Sequence, residues 1–171
     1  PFVGQPAVLP EIYTYGHRNV QGLVVDTRRG VVFAHEHGPR GGDELNRLTP
    51  GANYGWPAVT HGVDYSGALI SPYQSLPGYV APLAHWTPSI APSGMVFVDD
   101  SAFPELDGDL LVTALAERSL RHLDLDERGR VIGQTILALP FKERLRDVAL
   151  APDGTLIVLT DSPDEIGRAH V

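Results

Sequence analysis

Four short stretches of this 171-residue chain carry side chains suited to holding an anion or a cation. Arg144 and Arg146 stand two apart, so on a strand or extended loop both guanidinium groups leave the same face. Side by side they repel unless an anion lies between them, supplied either by Glu143 and Asp147 or by a bound carboxylate. Arg18 and Asn19 are neighbours in Tyr15–Leu23, YGHRNVQGL. Arginine offers a planar fork of donors and asparagine both a donor and an acceptor, although an isolated arginine is more often a surface ion-pair residue. Gly38 and Pro39 make a turn where glycine permits close approach and proline adds no donor. Taken alone, such a pair is a plain Gly-Pro turn. Glu44 is a hard anionic group that reads, by itself, as a solvated strand residue, and Tyr54 reads as a packing aromatic. His35 and His37 flank Glu36 as a His-x-His pair, but no third zinc ligand stands at a suitable spacing.

The elements that must position these groups read as short strands. GLVVD (22–26), VVFAH (31–35) and residues 44–48 form one unit. GMVFV (94–98), DLLVTA (109–114), residues 120–125 and residues 131–137 form a second. DVALA (147–151) and TLIVLTD (155–161), joined by a Pro-Asp-Gly turn, open a third. Apolar strand, Gly-bearing turn and apolar strand thus recur three times, which suits propeller blades and equally a β-sandwich. Between residues 55 and 86 lies a long, Pro-bearing stretch, expected to be a structureless insertion over one face. With 18 glycines and 15 prolines the chain is a loop-rich β protein. A net charge of -8 argues against a nucleic-acid partner. No apolar run is long enough to span a bilayer. Cysteine is absent, which excludes disulfides, thiolate metal sites and cysteine nucleophiles.

Three segments, YGHRNVQGL, HEHGPRGGDELNRLTPGANYGWP (35–57) and RLRDVALAPDG (144–154), resemble the soluble quinoprotein aldose/glucose dehydrogenases that use pyrroloquinoline quinone (PQQ). The resemblance covers nearly the whole chain and decides for the propeller. It implies an all-β fold, part of a six-bladed β-propeller, with about three blades in an open arc formed by residues 1–164. Residues 165–171, EIGRAHV, resemble translated sequencing adapter and are expected to take an arbitrary path. The resemblance further implies PQQ contacts from Arg18, Asn19, Gln21, Arg144 and Arg146. It implies calcium ligands from the Gly38 and Pro39 carbonyls and, at a further site, from Glu44 and Tyr54.

The implied activity is oxidation of the C1 hydroxyl of aldoses to lactones, with an electron acceptor left undefined. The implied location is periplasmic or secreted. The histidine that serves as base in the family has no counterpart among the seven here, so it is expected ahead of Pro1, and this chain alone is expected to be inactive. Ala116 stands where the family commonly has a lysine, leaving Arg118 as the nearest cation. Two other readings of such a propeller are a non-catalytic binding module for a carbohydrate or protein ligand, and a calcium-dependent lactonase. The lactonase would need carboxylates and asparagines converging on one central metal, and the sequence offers no such set.

Overall fold

A computed structural model describes residues 1–99, 102–140 and 142–161, together with the backbone of Arg168–His170. Its eleven strands fall into three antiparallel sheets, each with its strands in chain order. The first sheet holds β1 (Val20–Asp26), β2 (Val31–Glu36), β3 (Asp43–Leu48) and β4 (Ala84–Trp86). The second holds β5 (Pro92–Phe97), β6 (Leu110–Ala114), β7 (Ser119–Leu125) and β8 (Val131–Leu137). The third holds β9 (Leu145–Leu150), β10 (Leu156–Thr160) and β11 (Arg168–His170). Each sheet is an up-and-down meander, which is the build of a propeller blade, and in the first sheet the long 49–83 connection joins β3 to β4. The first strands of successive sheets pack on one another, β1 on β5 and β5 on β9. These are the inner strands of a radial array, so the expected partial propeller is what forms.

The core lies between blades, and period-2 alternation explains how. In β6, Leu110, Val112 and Ala114 face Phe33, Leu45 and Trp86 of the first sheet. Leu111, between them, faces Leu145, Val148 and Leu156 of the third. A sheet buried on both faces needs apolar residues at nearly every position, which is why LLVTA reads as a continuous run. Glycine has a shared purpose at the crowded inner edge. Gly22 and Gly94 are each third in their inner strand, next to a register shift. A Cβ on Gly22 would strike the His35 ring, and one on Gly94 would lie 2.6 Å from the Asp147 Cα. At the far end of the blades Arg28 pairs with Asp99 and Asp107, clamping the first sheet to the second.

Two expectations need revision. The 55–86 stretch is not structureless throughout: residues 84–86 pair with β3 through Asp43–Trp86, Glu44–His85 and Leu45–Ala84, completing the blade. A three-residue strand after a Pro-rich loop lacks the length that periodicity needs. The second departure lies at the chain end. The backbone of Arg168–His170 runs antiparallel to β10 in register with Ile157–Leu159, not along an arbitrary path; the remainder of 165–171 lies outside the described residues.

Candidate functional site

The antiparallel order puts the starts of the inner strands β1, β5 and β9 at one end of the array. The segments just before and beside them therefore share a rim. Arg18 and Asn19 precede β1, Gly38 and Pro39 follow β2, Glu44 is second in β3, and Arg144 precedes β9. The joints between blades confirm the proximity. His37 Nε2 bonds the Pro92 carbonyl at 2.6 Å, and Ser93 Oγ donates to the Leu145 carbonyl at 2.7 Å.

Arg18 is the centre of the first cluster. Its Nη1 donates at 3.0 Å to both the His37 and Gly38 carbonyls. Its guanidinium lies over the Trp56 ring, 5.4 Å from the centroid, and reaches the Tyr65 hydroxyl at 3.5 Å. Gln21 holds the Asn19 side-chain carbonyl at 2.8 Å, which fixes the amide orientation of that pair. Arg18, Asn19, Gln21 and Gly38 are thus brought together.

Gly38 sits in a fold of backbone with no room for a side chain. A Cβ there would lie 2.5 Å from the Gly42 carbonyl oxygen, so no larger residue fits without moving backbone. Asp43 locks this turn. Its carboxylate is fully buried and accepts from Gly38 N at 3.0 Å on one oxygen. The other oxygen accepts from Ser89 Oγ, Ile90 N and Ala91 N at 2.6, 2.8 and 2.9 Å. One side chain therefore joins the Gly38 turn to the crossover between blades. Its sequence neighbour Glu44 differs. Glu44 accepts one amide bond, from Asn46 Nδ2 at 3.2 Å, and lines a small cavity with Gly16, Gly38, Gly42, Tyr54 and Thr60. Burial, with the Glu36 charge adding to it, pushes its carboxyl up to about 7. A half-buried carboxylate this short of positive partners suits a hard cation.

Tyr54 is 4% exposed. Its hydroxyl donates to the Arg47 carbonyl and accepts from Thr49 N at 2.9 Å, and its ring stacks on His17 with centroids 4.6 Å apart. The phenol is thus occupied structurally, and only the backbone of Tyr54 remains to offer an oxygen.

Arg144 and Arg146 stand on the same rim, both exposed, but at the third inner strand. The anion between them is neither Glu143 nor Asp147 but Asp161. Its Oδ2 accepts from Arg144 Nε at 3.2 Å and from Arg146 Nη2 at 3.0 Å. Arg146 and then Arg144 hold the Asp161 carboxyl below its usual range. Asp161 follows β10, whose end pairs with the start of β9, so the partner is spatial. Ala116 also lies on this rim, its N–H donating to the Ile90 carbonyl at 3.0 Å. The His-x-His pair does not form a metal site. His35 is fully buried, His37 serves Pro92, and among the described residues no three His, Cys, Asp or Glu side chains gather around one point.

Radially packed antiparallel meanders, with the connecting loops of their inner strands gathered at one end, define part of a β-propeller. The family model for glucose / sorbosone dehydrogenase matches residues 1–168, and the chain belongs to that family. It is 36% identical over 168 residues to the aldose sugar dehydrogenase YliI of Escherichia coli (strain K12), covering 94% of this chain and 44% of that one. A solved glucose dehydrogenase superposes with a TM-score of 0.89 at 44% identity, over 95% of this chain and 47% of that one. The PQQ-bound aldose sugar dehydrogenase of Streptomyces coelicolor gives a TM-score of 0.69 at 31% identity, over 98% of this chain and 44% of that one. The chain spans a little under half the length of these relatives.

Proposed function

We propose that this chain supplies part of the cofactor and metal site of a PQQ- and calcium-dependent dehydrogenase that oxidises the C1 hydroxyl of aldoses to lactones. The observation that carries the reading is the shared rim. Arg18 with Asn19, the Gly38–Pro39 turn, Glu44, and the Arg144–Arg146 pair come from separate parts of the sequence and stand at one end of the inner strands. When bound, the quinone supplies the two-electron acceptor for the hydride leaving the sugar C1.

The chain's own residues bind and orient. Arg18 presents a planar donor fork to a carboxylate or quinone oxygen, with Asn19 and Gln21 beside it. Arg144 and Arg146 offer a second pair of donors, bridged by the one Asp161 carboxylate, which leaves the trio with a net positive charge. Calcium suits the Gly38 and Pro39 carbonyls and, separately, the Glu44 carboxylate with the Tyr54 backbone oxygen. Arg18 already donates to the Gly38 carbonyl. A cation on that oxygen would face the guanidinium, so joint occupancy favours an anion between them, and a tricarboxylate cofactor provides one.

The test is a titration of this chain with PQQ, with calcium and then with a chelator. Saturable binding that weakens at least about tenfold without calcium is expected. A dye-linked assay with aldoses should show no turnover by the chain alone, because a positioned base contributes about a hundredfold to ten-thousandfold and no histidine among the described residues is placed as one. Calcium-independent PQQ binding would remove the metal from the proposal. Turnover by the 171-residue chain would overturn the account of the missing base.

A further inference from the structure

We propose that Glu36 is the positioning residue of this site: its buried carboxylate holds the Arg18–Asn19 segment in the conformation that presents both side chains to the cofactor. The inference rests on the reading of Arg18 and Asn19 as cofactor contacts.

Glu36 ends β2 and is 5% exposed. Its Oε2 accepts two successive backbone N–H groups, from Arg18 at 2.5 Å and from Asn19 at 3.3 Å. Its Oε1 accepts from His17 Nδ1 at 2.8 Å and from Asn46 Nδ2 at 3.1 Å. With two donors on each oxygen the carboxylate has little capacity left for a ligand, so its effect must pass through the groups it holds.

The Arg18 and Asn19 N–H groups lie between two anchored stretches: regular strand pairing begins at Val20, His37 N donates to the Asn19 carbonyl, and upstream Trp56 N donates to the Gly16 carbonyl at 2.8 Å. Two adjacent N–H groups converging on one oxygen fix the peptide between them. That peptide sets where the Arg18 and Asn19 side chains leave the chain. The His17 imidazole and the Arg18 and Asn19 N–H groups all bond this carboxylate directly. Charge-assisted bonds of this kind are about twice as strong as neutral ones. Two braces steady the carboxylate. His17 is itself held by Thr14 Oγ1 at 3.0 Å and by the Tyr54 ring. Asn46 gives its amide to both Glu36 and Glu44, so one side chain spans the cofactor and metal candidates.

The experiment is PQQ titration of this chain at saturating calcium, read by quenching of tryptophan fluorescence, with Glu36→Gln, Arg18→Ala and the double variant. Each single variant is expected to bind about tenfold or more weakly, the cost of losing charge-assisted bonds. The double variant should bind no more than about threefold more weakly than Arg18→Ala, because residues that act through one another are not additive. A simply structural Glu36 would give additive losses, and that result overturns the proposal. So does wild-type affinity in Glu36→Gln. Circular dichroism reports whether Glu36→Gln folds. Should it not, His17→Gln carries the test: it removes one brace, leaves the carboxylate charged, and is expected to weaken PQQ about threefold with the thermal transition unmoved. Unchanged affinity there overturns the proposal as well. Absence of saturable PQQ binding by the wild-type chain refutes the cofactor reading itself, and is told apart from failure of the Glu36 role by that control.

Discussion

Replacing Asp43 by alanine is expected to destabilise the protein by about 3–5 kcal/mol, the range for stripping partners from a buried charged network. The carboxylate is fully buried and meets three backbone N–H groups and one hydroxyl at 2.6 to 3.0 Å. Removing it leaves Gly38 N, Ile90 N and Ala91 N without that acceptor in a place water does not reach freely. Asn is expected to lose most of the same stability, because its amide N–H2 must face one of those donors. The turn that carries Gly38 loosens with it, so cofactor affinity should fall in both variants. Urea denaturation with a fixed m-value measures the effect. A loss below about 1 kcal/mol for Asp43→Ala would show that the joint is held by packing alone.

Acid is expected to weaken the fold through His35. Both ring nitrogens are buried without a hydrogen-bond partner, and the ring lies against Gly22 where no Cβ would fit. Burial, and then the neighbouring His37, hold it down to about 4 from an ordinary value near 6.5. The unfolded chain therefore binds a proton that the folded chain refuses between those values. The contribution is whole above about pH 6.5 and is lost as pH falls through 4, amounting to about 3 kcal/mol once both transitions are passed. His35→Leu should remove this dependence. At pH 7 the variant is expected to lie within about 1.5 kcal/mol of wild type, because an unpartnered polar ring is exchanged for an apolar one of similar bulk. Near pH 4 it should be the more stable protein. Parallel stability curves for the two, with the same slope from pH 7 to 4, would dismiss His35 as a source of acid sensitivity.

The blades were legible where two-residue alternation or a continuous apolar run met a glycine turn. Residues 131–137 and 94–97 show this, and the likeness of GLVVD to GMVFV marks two inner strands with the same glycine at the same place. β4 was not legible, because three residues carry no period and its pairing is set by β3. The shared face of Arg144 and Arg146 could be read from their spacing. Asp161 could not, since only the β9–β10 register brings it there. Asp43 stood in view as half of an acidic pair, yet its role depends on three N–H groups, one five residues away and two more than forty away. Glu36 was hidden by the histidines on either side, which drew a zinc reading. No spacing rule links a strand-end carboxylate to amides seventeen and eighteen residues upstream.

The bridge from Asp43 to Ile90 and Ala91 bears on the order in which the molecule assembles. Apart from β4, which returns to β3 across residues 49–83, neighbouring strands within each blade follow one another in sequence over short connections. The rim is closed by bonds across 46 to 55 residues, including Asp43 to Ser89 and His37 to Pro92. Longer loops cost more entropy to close, and contacts that need two formed blades must wait for both. The rim is therefore the last part to form and the first to open, while the meanders beneath it persist. Amide exchange should report this as protection at Ile90 and Ala91 that fails before protection in β6, and the reverse order would mean that the blades depend on the rim.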